Sequence, residues 1–422
     1  YGIKAAAQTF FGKNPIDLTV EEAATLVGMV NKPTRYNPAL NPDKSLARRN
    51  LVISRMEKNG FLTEEQRDSI QQIPITLSYQ IQDHNAGVGP YFRDMLRRTM
   101  NAKKPKKSSY SQYEDYVVDS LLWADDQLYG WLNKNKKADG TEYNLDKDGL
   151  RIYTTIDSRM QTYMEEAVQE HVADYLQKRF FESKKKQKTA PFTEKLSDDD
   201  VKKIMRRAMR QSDRYITMKK SGASEAEIET AFNTPEDMSV FTYQGMKDTI
   251  MTPLDSLRYY KYFLRTGVFS MDPHSGAVKA YVGGPNFYYF KYDMANVGRR
   301  QVGSTIKPFL YSLAMENGFS PCDETRNIEQ TLITEDGKLW SPKNTSKTRY
   351  GEIVTLRWGL ANSNNWISAY LMSKLNPYTL KKLVHQFGLR NKEIEATPSL
   401  CLGVCDASVS EMVSAYTAFV GK

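Results

Sequence analysis

The 422-residue sequence predicts a multidomain α+β chain, and three observations carry that expectation. The length suits about three domains of ordinary size, with ample chain for at least one sizeable core. Residues 1–72 read as capped, amphipathic helices without a strand pattern, whereas residues 266–422 open on two alternating strands followed by an apolar helix. Between them, residues 73–265 are mixed and charged. They read as a linker region carrying a helical insertion at about 176–250.

The opening helices are well punctuated. Thr19 with Glu22 makes a capping box before the apolar run 23–30, and Asn31-Lys32-Pro33 ends it. After a proline-spaced loop, Leu46, Asn50, Ile53 and Met56 mark one face of a helix that Gly60 stops, and Thr63 with Gln66 starts another. Arg48, Arg49 and Arg55 suit solvent or a ligand equally. Lys103-Lys104-Pro105-Lys106-Lys107 reads as connector, and residues 150–156 alternate as a strand. Asp157 or Ser158 then caps a helix whose Met160, Met164, Val168 and Val172 form one apolar stripe, which is core packing rather than chemistry. In the last third, 267–272 and 277–282 alternate as two strands joined through a turn at Pro273-His274-Ser275-Gly276.

Composition narrows the function classes. The formal charge of +9 would suit nucleic acid, anionic headgroups or an acidic polymer. No zinc-finger, helix-turn-helix or aromatic ribonucleoprotein signature accompanies the lysines, so nucleic acid is not an expected partner. Cys322, Cys401 and Cys405 have no metal-ligand spacing with His84, His171, His274 or His385 and read as buried free thiols. Cys401 and Cys405 would pair only with strain at helical i, i+4 spacing. No run approaches 18 apolar residues and there is no signal peptide; with Tyr1 in first place, a membrane anchor is expected upstream.

The chemistry centres on Ser304-Thr305-Ile306-Lys307-Pro308. On a helix, i and i+3 share a face, which would set the Lys307 amine one turn from the Ser304 hydroxyl as a nucleophile beside its base. The pair works only where burial or nearby charge lowers the lysine pKa. Pro308 has no N–H for the Ser304 carbonyl, so Ser304 belongs to the first turn, where free backbone N–H groups and the helix dipole favour an oxyanion. Alone, Ser-x-x-Lys is weak: about two matches arise by chance in such a chain, and Ser183 with Lys186 is one. Some 60 residues on, Ser363-Asn364-Asn365 supplies a hydroxyl able to relay a proton and an amide able to hold a substrate peptide bond.

In that order, with Trp340-Ser341-Pro342-Lys343-Asn344 and Gly351-Glu352-Ile353-Val354-Thr355-Leu356-Arg357 between, the motifs resemble the transpeptidase domain of penicillin-binding proteins. Tyr1-Gly2-Ile3-Lys4, Phe11-Gly12-Lys13, Arg35-Tyr36-Asn37-Pro38 and Arg48-Arg49-Asn50-Leu51 resemble the end of the peptidoglycan glycosyltransferase domain of the class A, bifunctional members. The resemblance implies an internal fragment with three parts. These are an α-helical glycosyltransferase remnant without its catalytic glutamates, the linker, and a serine β-lactamase-like transpeptidase domain whose antiparallel sheet packs with helices. That domain would be C-terminally truncated at Lys422, before the Lys-Thr-Gly strand, and the fragment inactive in both reactions. Glu114-Asp115-Tyr116 is similar to the family's Glu-Asp motif but comes too late, and Lys220-Ser221-Gly222 matches the third motif but comes too early.

By the same resemblance, Ser304 attacks the penultimate D-alanine carbonyl, Lys307 activates it, Ser363 relays the proton toward the leaving amine, and Asn365 holds the substrate amide. Stem peptides, lipid II and β-lactams are the implied partners, on the outer, periplasmic face of the bacterial cytoplasmic membrane. No cofactor is implied for transpeptidation, and a divalent cation is implied for the parent's glycosyltransferase. Two other classes share the first two motifs. A serine β-lactamase would need Glu393 or Glu395 to activate water, and a sensor or scaffold would bind wall peptides without turnover.

Overall fold

The computed structural model describes residues 2–79 and 87–420, and the chain divides into two units, Tyr1–Pro90 and Tyr91–Lys422. Tyr1, His84, Lys422 and the side chain of Glu114 lie outside the described residues. The first unit consists of α1 (Ile3–Phe11), α2 (Val20–Val30), α3 (Pro42–Lys58) and α4 (Glu64–Gln72). Capping starts two of them as the sequence specifies. The Glu22 carboxylate accepts from the Thr19 N–H at 2.9 Å, and Thr63 and Gln66 bond each other's backbone reciprocally at 3.2 and 2.9 Å. Ala7, Phe10, Phe11 and Leu26 form the core.

On α3 the buried line is Ser45, Arg49 and Ile53, and Leu46 is exposed, so the face is rotated from the apolar one expected. Arg49 causes the rotation. Its guanidinium points inward and donates to the carbonyls of Gln71 and Ile73 at the end of α4 and to Asn50 Oδ1.

The second unit opens with α5 (Pro90–Met100), α6 (Tyr113–Asp125) and α7 (Trp131–Lys134). Residues 151–156 form no strand, contrary to their alternation. Next, α8 (Ser158–Val168) passes through a π-helical stretch, Gln169–Leu176, into α9 (Gln177–Lys184). Asp157 is the cap, accepting from the N–H groups of Arg159 and Met160. Val168 and Val172 of the stripe are buried, Met164 packs beside them, and Met160 is exposed.

The segment read as a helical insertion holds α10 (Asp198–Arg210), α11 (Asp213–Lys220) and α12 (Glu225–Asn233), but it ends in a β-hairpin, β1 (Glu236–Thr242) and β2 (Gly245–Met251), before α13 (Pro253–Tyr260). The two-residue loop pairs Thr242 with Gly245, and Gly245 takes φ 121°, a conformation open to glycine.

The predicted strand pair is present as β3 (Val268–Met271) and β4 (Val278–Val282), antiparallel, with Asp272 Oδ1 accepting three bonds from His274 and Ser275 in the turn. Then follow β5 (Arg300–Gln301), α14 (Lys307–Glu316), β6 (Glu324–Arg326), β7 (Leu332–Ile333), β8 (Leu339–Trp340), β9 (Ile353–Thr355), α15 (Leu356–Ala361), α16 (Asn365–Lys374), α17 (Pro377–Gln386), β10 (Asp406–Ala407) and α18 (Val409–Thr417).

Among the described residues the antiparallel sheet is reduced to two-stranded ladders, β1–β2, β3–β4, β5–β10, β6–β9 and β7–β8. At β4 the reason is visible. Gln161, fully buried, bonds both the N–H and the C=O of Tyr281, while Thr155 and Asp157 bond the carbonyls of Val278 and Lys279. Side chains and loop backbone thus occupy the edge that another strand would take.

The largest core gathers Ile306, Phe309, Leu310, Leu313, Val354, Leu356, Ile367, Leu371, Leu380, Val384 and Leu400 around α14, α16 and α17. No described helix is long and apolar enough to cross a membrane.

Candidate active site

A close approach of two backbone segments sets the position of Ser304. Val302 and Gly303 donate to the carbonyls of Cys405 and Gly403 at 2.9 and 3.1 Å, continuing the β5–β10 pairing. Both glycines have positive φ, and a Cβ on Gly403 would lie 2.0 Å from the Gly303 carbonyl oxygen. The chain then makes one 3₁₀ turn, Gly303–Ile306, before α14. The Ser304 carbonyl accepts from the Lys307 N–H, the i+3 bond that Pro308 leaves open. Ser304 therefore stands on a tight turn ahead of the α-helix. It is exposed, and its hydroxyl has no hydrogen bond among the described residues. Tyr416 of α18 steadies this turn by donating to the Thr305 carbonyl at 2.7 Å.

Lys307 takes the opposite environment, at 1 % exposure. Its Nζ donates to the Ser363 carbonyl at 2.6 Å, Ser363 Oγ at 3.0 Å and Asn365 Oδ1 at 2.8 Å. Those bonds use all three ammonium protons on neutral acceptors. With no carboxylate partner among the described residues, burial pushes the amine down to about 8, and the thiol of Cys401 opposes this only weakly. Roughly a tenth is then free base at pH 7. The base expected beside Ser304 thus leans on the second motif, and the structure joins Lys307, Ser363 and Asn365 while leaving the Ser304 hydroxyl unbonded.

The second motif is held by three further asparagines, Asn327, Asn344 and Asn364. Asn364 caps α16, its Oδ1 accepting from Trp366 and Ile367, and its Nδ2 donates to Asn327. Asn344 Oδ1 accepts from the Asn365 N–H at 2.7 Å and its Nδ2 donates to Asn364. The carbonyls of Pro342 and Lys343 accept from Trp366 Nε1 and Asn365 Nδ2. Asn364 and the 340–344 segment stood in sequence motifs; Asn327 lies in a loop with no local pattern. Ser363 itself has φ 50° and no glycine's freedom. That left-handed turn lets its carbonyl and its hydroxyl reach the same amine, at a strain of about 1–2 kcal/mol. Asn365 is tied at both ends of its amide, so it positions Lys307.

Other sequence candidates fall away from this cluster. Ser183 and Ser221 donate to the carbonyls of Phe180 and Thr217, and Gly222 closes α11 at φ 87°. Glu393 and Glu395 are exposed and bond neither Lys307 nor Ser363. Cys401 and Cys405 are free and buried, as read, whereas Cys322 is exposed because it sits in the turn before β6. No trio of His, Cys, Asp or Glu among the described residues is placed to hold a metal.

What the cluster can do chemically follows from its partners. When Lys307 loses a proton, one of its three bonds must reverse. Ser363 Oγ–H is the one partner able to donate back. Lys307 and Ser363 therefore form a reversible proton pair, and Lys307 follows by three residues an exposed hydroxyl on a tight turn.

Comparison with known proteins divides the chain into three matched stretches. The family models for the penicillin-binding protein transpeptidase domain, the penicillin-binding protein middle domain and transglycosylase match residues 266–420, 187–264 and 1–57. Penicillin-binding protein 1A of Pseudomonas aeruginosa is 27% identical over 426 residues, and that of Escherichia coli 25% over 452, each across 99% of this chain. The alignments cover 49% and 48% of those proteins, so the chain spans about half the length of the curated relatives it matches. The crystal structure of penicillin-binding protein 1A from Haemophilus influenzae, 21% identical, shares the fold with a TM-score of 0.55 over 99% of this chain and 58% of that one.

Proposed function

Because the chain belongs to the class A penicillin-binding proteins, we propose that it works in peptidoglycan synthesis by acyl transfer through Ser304, within a protein that also polymerises glycan strands. The observation that carries this reading is the buried Lys307 amine, held by three neutral acceptors and depressed to about 8, three residues after an exposed serine.

In the proposed reaction the Ser304 hydroxyl attacks the carbonyl of the penultimate D-alanine of a stem peptide, and its proton passes to the free amine of Lys307. The tetrahedral intermediate collapses, the C–N bond to the terminal D-alanine breaks, and Ser363 Oγ delivers a proton to the leaving amine while Lys307 re-protonates Ser363. An amine of a second stem peptide then attacks the acyl-serine by the reverse path, giving the cross-link and restoring the Ser304 hydroxyl. Asn365 keeps Lys307 and Ser363 aligned and presents its remaining amide valences to the substrate. A β-lactam would acylate the same oxygen. Lipid II as the glycan precursor and attachment to the outer face of the cytoplasmic membrane are part of the same proposal.

The test is intact-mass measurement after incubation with a β-lactam, on the chain in its full-length context. The expected result is a long-lived adduct of one β-lactam mass that disappears in Ser304→Ala. An adduct that survives that substitution, or none on the unsubstituted protein, refutes the assignment.

A further inference from the structure

Each amide side chain around the second motif has its two ends assigned by the groups that face it. Asn365 Nδ2 donates to the Lys343 carbonyl at 2.8 Å, which turns Oδ1 toward the Lys307 amine, also at 2.8 Å. Asn344 fixes the backbone of the same residue, its Oδ1 accepting from the Asn365 N–H at 2.7 Å. The other end of Asn344 settles its own orientation. Its Nδ2 donates at 3.2 Å to Asn364 Oδ1, an oxygen that also accepts from the N–H groups of Trp366 and Ile367 at the start of α16. Asn364 Nδ2 meets Asn327 Oδ1 at 2.9 Å, and Asn327, fully buried, donates to the carbonyls of Thr348 and Arg349. A flip of any one amide would set donor against donor or acceptor against acceptor. The series therefore ends in one orientation of Asn365, with its oxygen on Lys307.

We propose that Asn344 is a positioning residue for acyl transfer at Ser304, because it holds Asn364 and Asn365 in the one arrangement that keeps two pure acceptors on the Lys307 amine. Those acceptors, the Ser363 carbonyl and Asn365 Oδ1, have no proton to give. The bond to Ser363 Oγ is then the one that reverses when the amine loses its proton. Without Asn344, the Asn365 N–H and the Asn364 cap oxygen each lose a partner, and the acceptors can drift from Nζ. Among the described titratable groups, the Cys401 thiol is the one that acts electrostatically on Lys307, so hydrogen-bond geometry and burial set the amine's proton affinity. Asn344 takes this role on the acyl-transfer reading of Ser304 proposed above.

The test follows two profiles against pH in the chain in its full-length context: β-lactam acylation of Ser304, and the Lys307 Cε resonance of protein labelled with ¹³C-lysine. Asn344→Leu is close in shape and excludes water, but it bonds neither neighbour. It should slow the alkaline plateau of acylation about tenfold and move both midpoints down by about half a pH unit, since the buried ammonium loses a well-placed acceptor. Asn344→Asp keeps an acceptor for the Asn365 N–H and adds negative charge, so both midpoints should move up by about half a unit. Opposite shifts separate positioning from a purely structural role, which would lower the amount of folded protein and move neither midpoint. A Lys307 resonance that titrates at the same pH in both variants overturns the proposal, whether or not Ser304 acylates. Opposite shifts with no adduct on the unsubstituted protein uphold the hold of Asn344 on Lys307 and defeat the acylation reading alone.

Discussion

Arg49 in the first unit and Lys307 in the second are the same problem solved for different ends. Each is a buried cation, at 0 % and 1 % exposure. Neither has a salt bridge among the described residues, and each is held by backbone carbonyls and an asparagine oxygen. Burial lowers both pKa values. A guanidinium so lowered still keeps its proton at any physiological pH, so Arg49 can only staple α3 to the end of α4. An amine lowered to about 8 gives its proton up, and among its partners is a hydroxyl that can return one. Burial alone is thus no mark of chemistry. A cation becomes a catalytic candidate when it can deprotonate and a partner can reverse its bond.

The contrast can be broken experimentally at several points. Lys307→Arg keeps the charge but removes the free base, and β-lactam acylation of Ser304 should fall about 10³-fold by stopped-flow or mass-resolved kinetics. Arg49→Lys should leave that rate unchanged. Its effect is on stability, because Arg49→Met leaves the Gln71 and Ile73 carbonyls without donors; urea denaturation should register a loss of about 3 kcal/mol confined to the first unit. Gly403→Ala forces a methyl against the Gly303 carbonyl in a left-handed conformation, and a loss of about 2–3 kcal/mol in the second unit is expected in the same experiment. Ser363→Gly relieves the φ 50° strain but takes one acceptor from the buried Lys307 ammonium, so the two effects should offset to within about 1 kcal/mol of stability while acylation slows.

The pH dependence follows with its sign fixed. Lys307 must be unprotonated to act, so below about 8 the acylation rate should rise about tenfold per pH unit, then level off. For stability the same shift works the other way round from a stabilising pair. The folded amine binds its proton less tightly than the unfolded one, so the burial penalty is full below about 8. It is relieved as pH climbs toward the ordinary lysine value, by about 3 kcal/mol at most.

Much of this site was legible before any coordinates. Pro308 put the serine at a helix start, and the order of the motifs tied Lys307 to Ser363 and Asn365, whereas the i, i+3 spacing set Lys307 against Ser304, whose hydroxyl it does not bond. Helix caps at Thr19, Thr63 and Asp157 and the turn at Asp272 were legible because each is a local, short-range device. What escaped is long-range. Nothing in the sequence near Asn327 indicates that Asn364 will reach it from 37 residues away, or that Gly403 must be bare to admit Gly303. Residues 151–156 alternate as a strand does, yet Gln161 occupies the edge of β4 where they would pair. The hairpin β1–β2 lies at the end of the stretch expected to be a helical insertion at about 176–250.

The most direct test of the central contrast is the titration of Lys307 itself. In protein carrying ¹³C-labelled lysine side chains, the account predicts one Cε resonance that titrates near pH 8 and is absent from Lys307→Met. If every lysine resonance instead titrates near the ordinary value of about 10.4, Lys307 is as fixed a cation as Arg49, and the account fails.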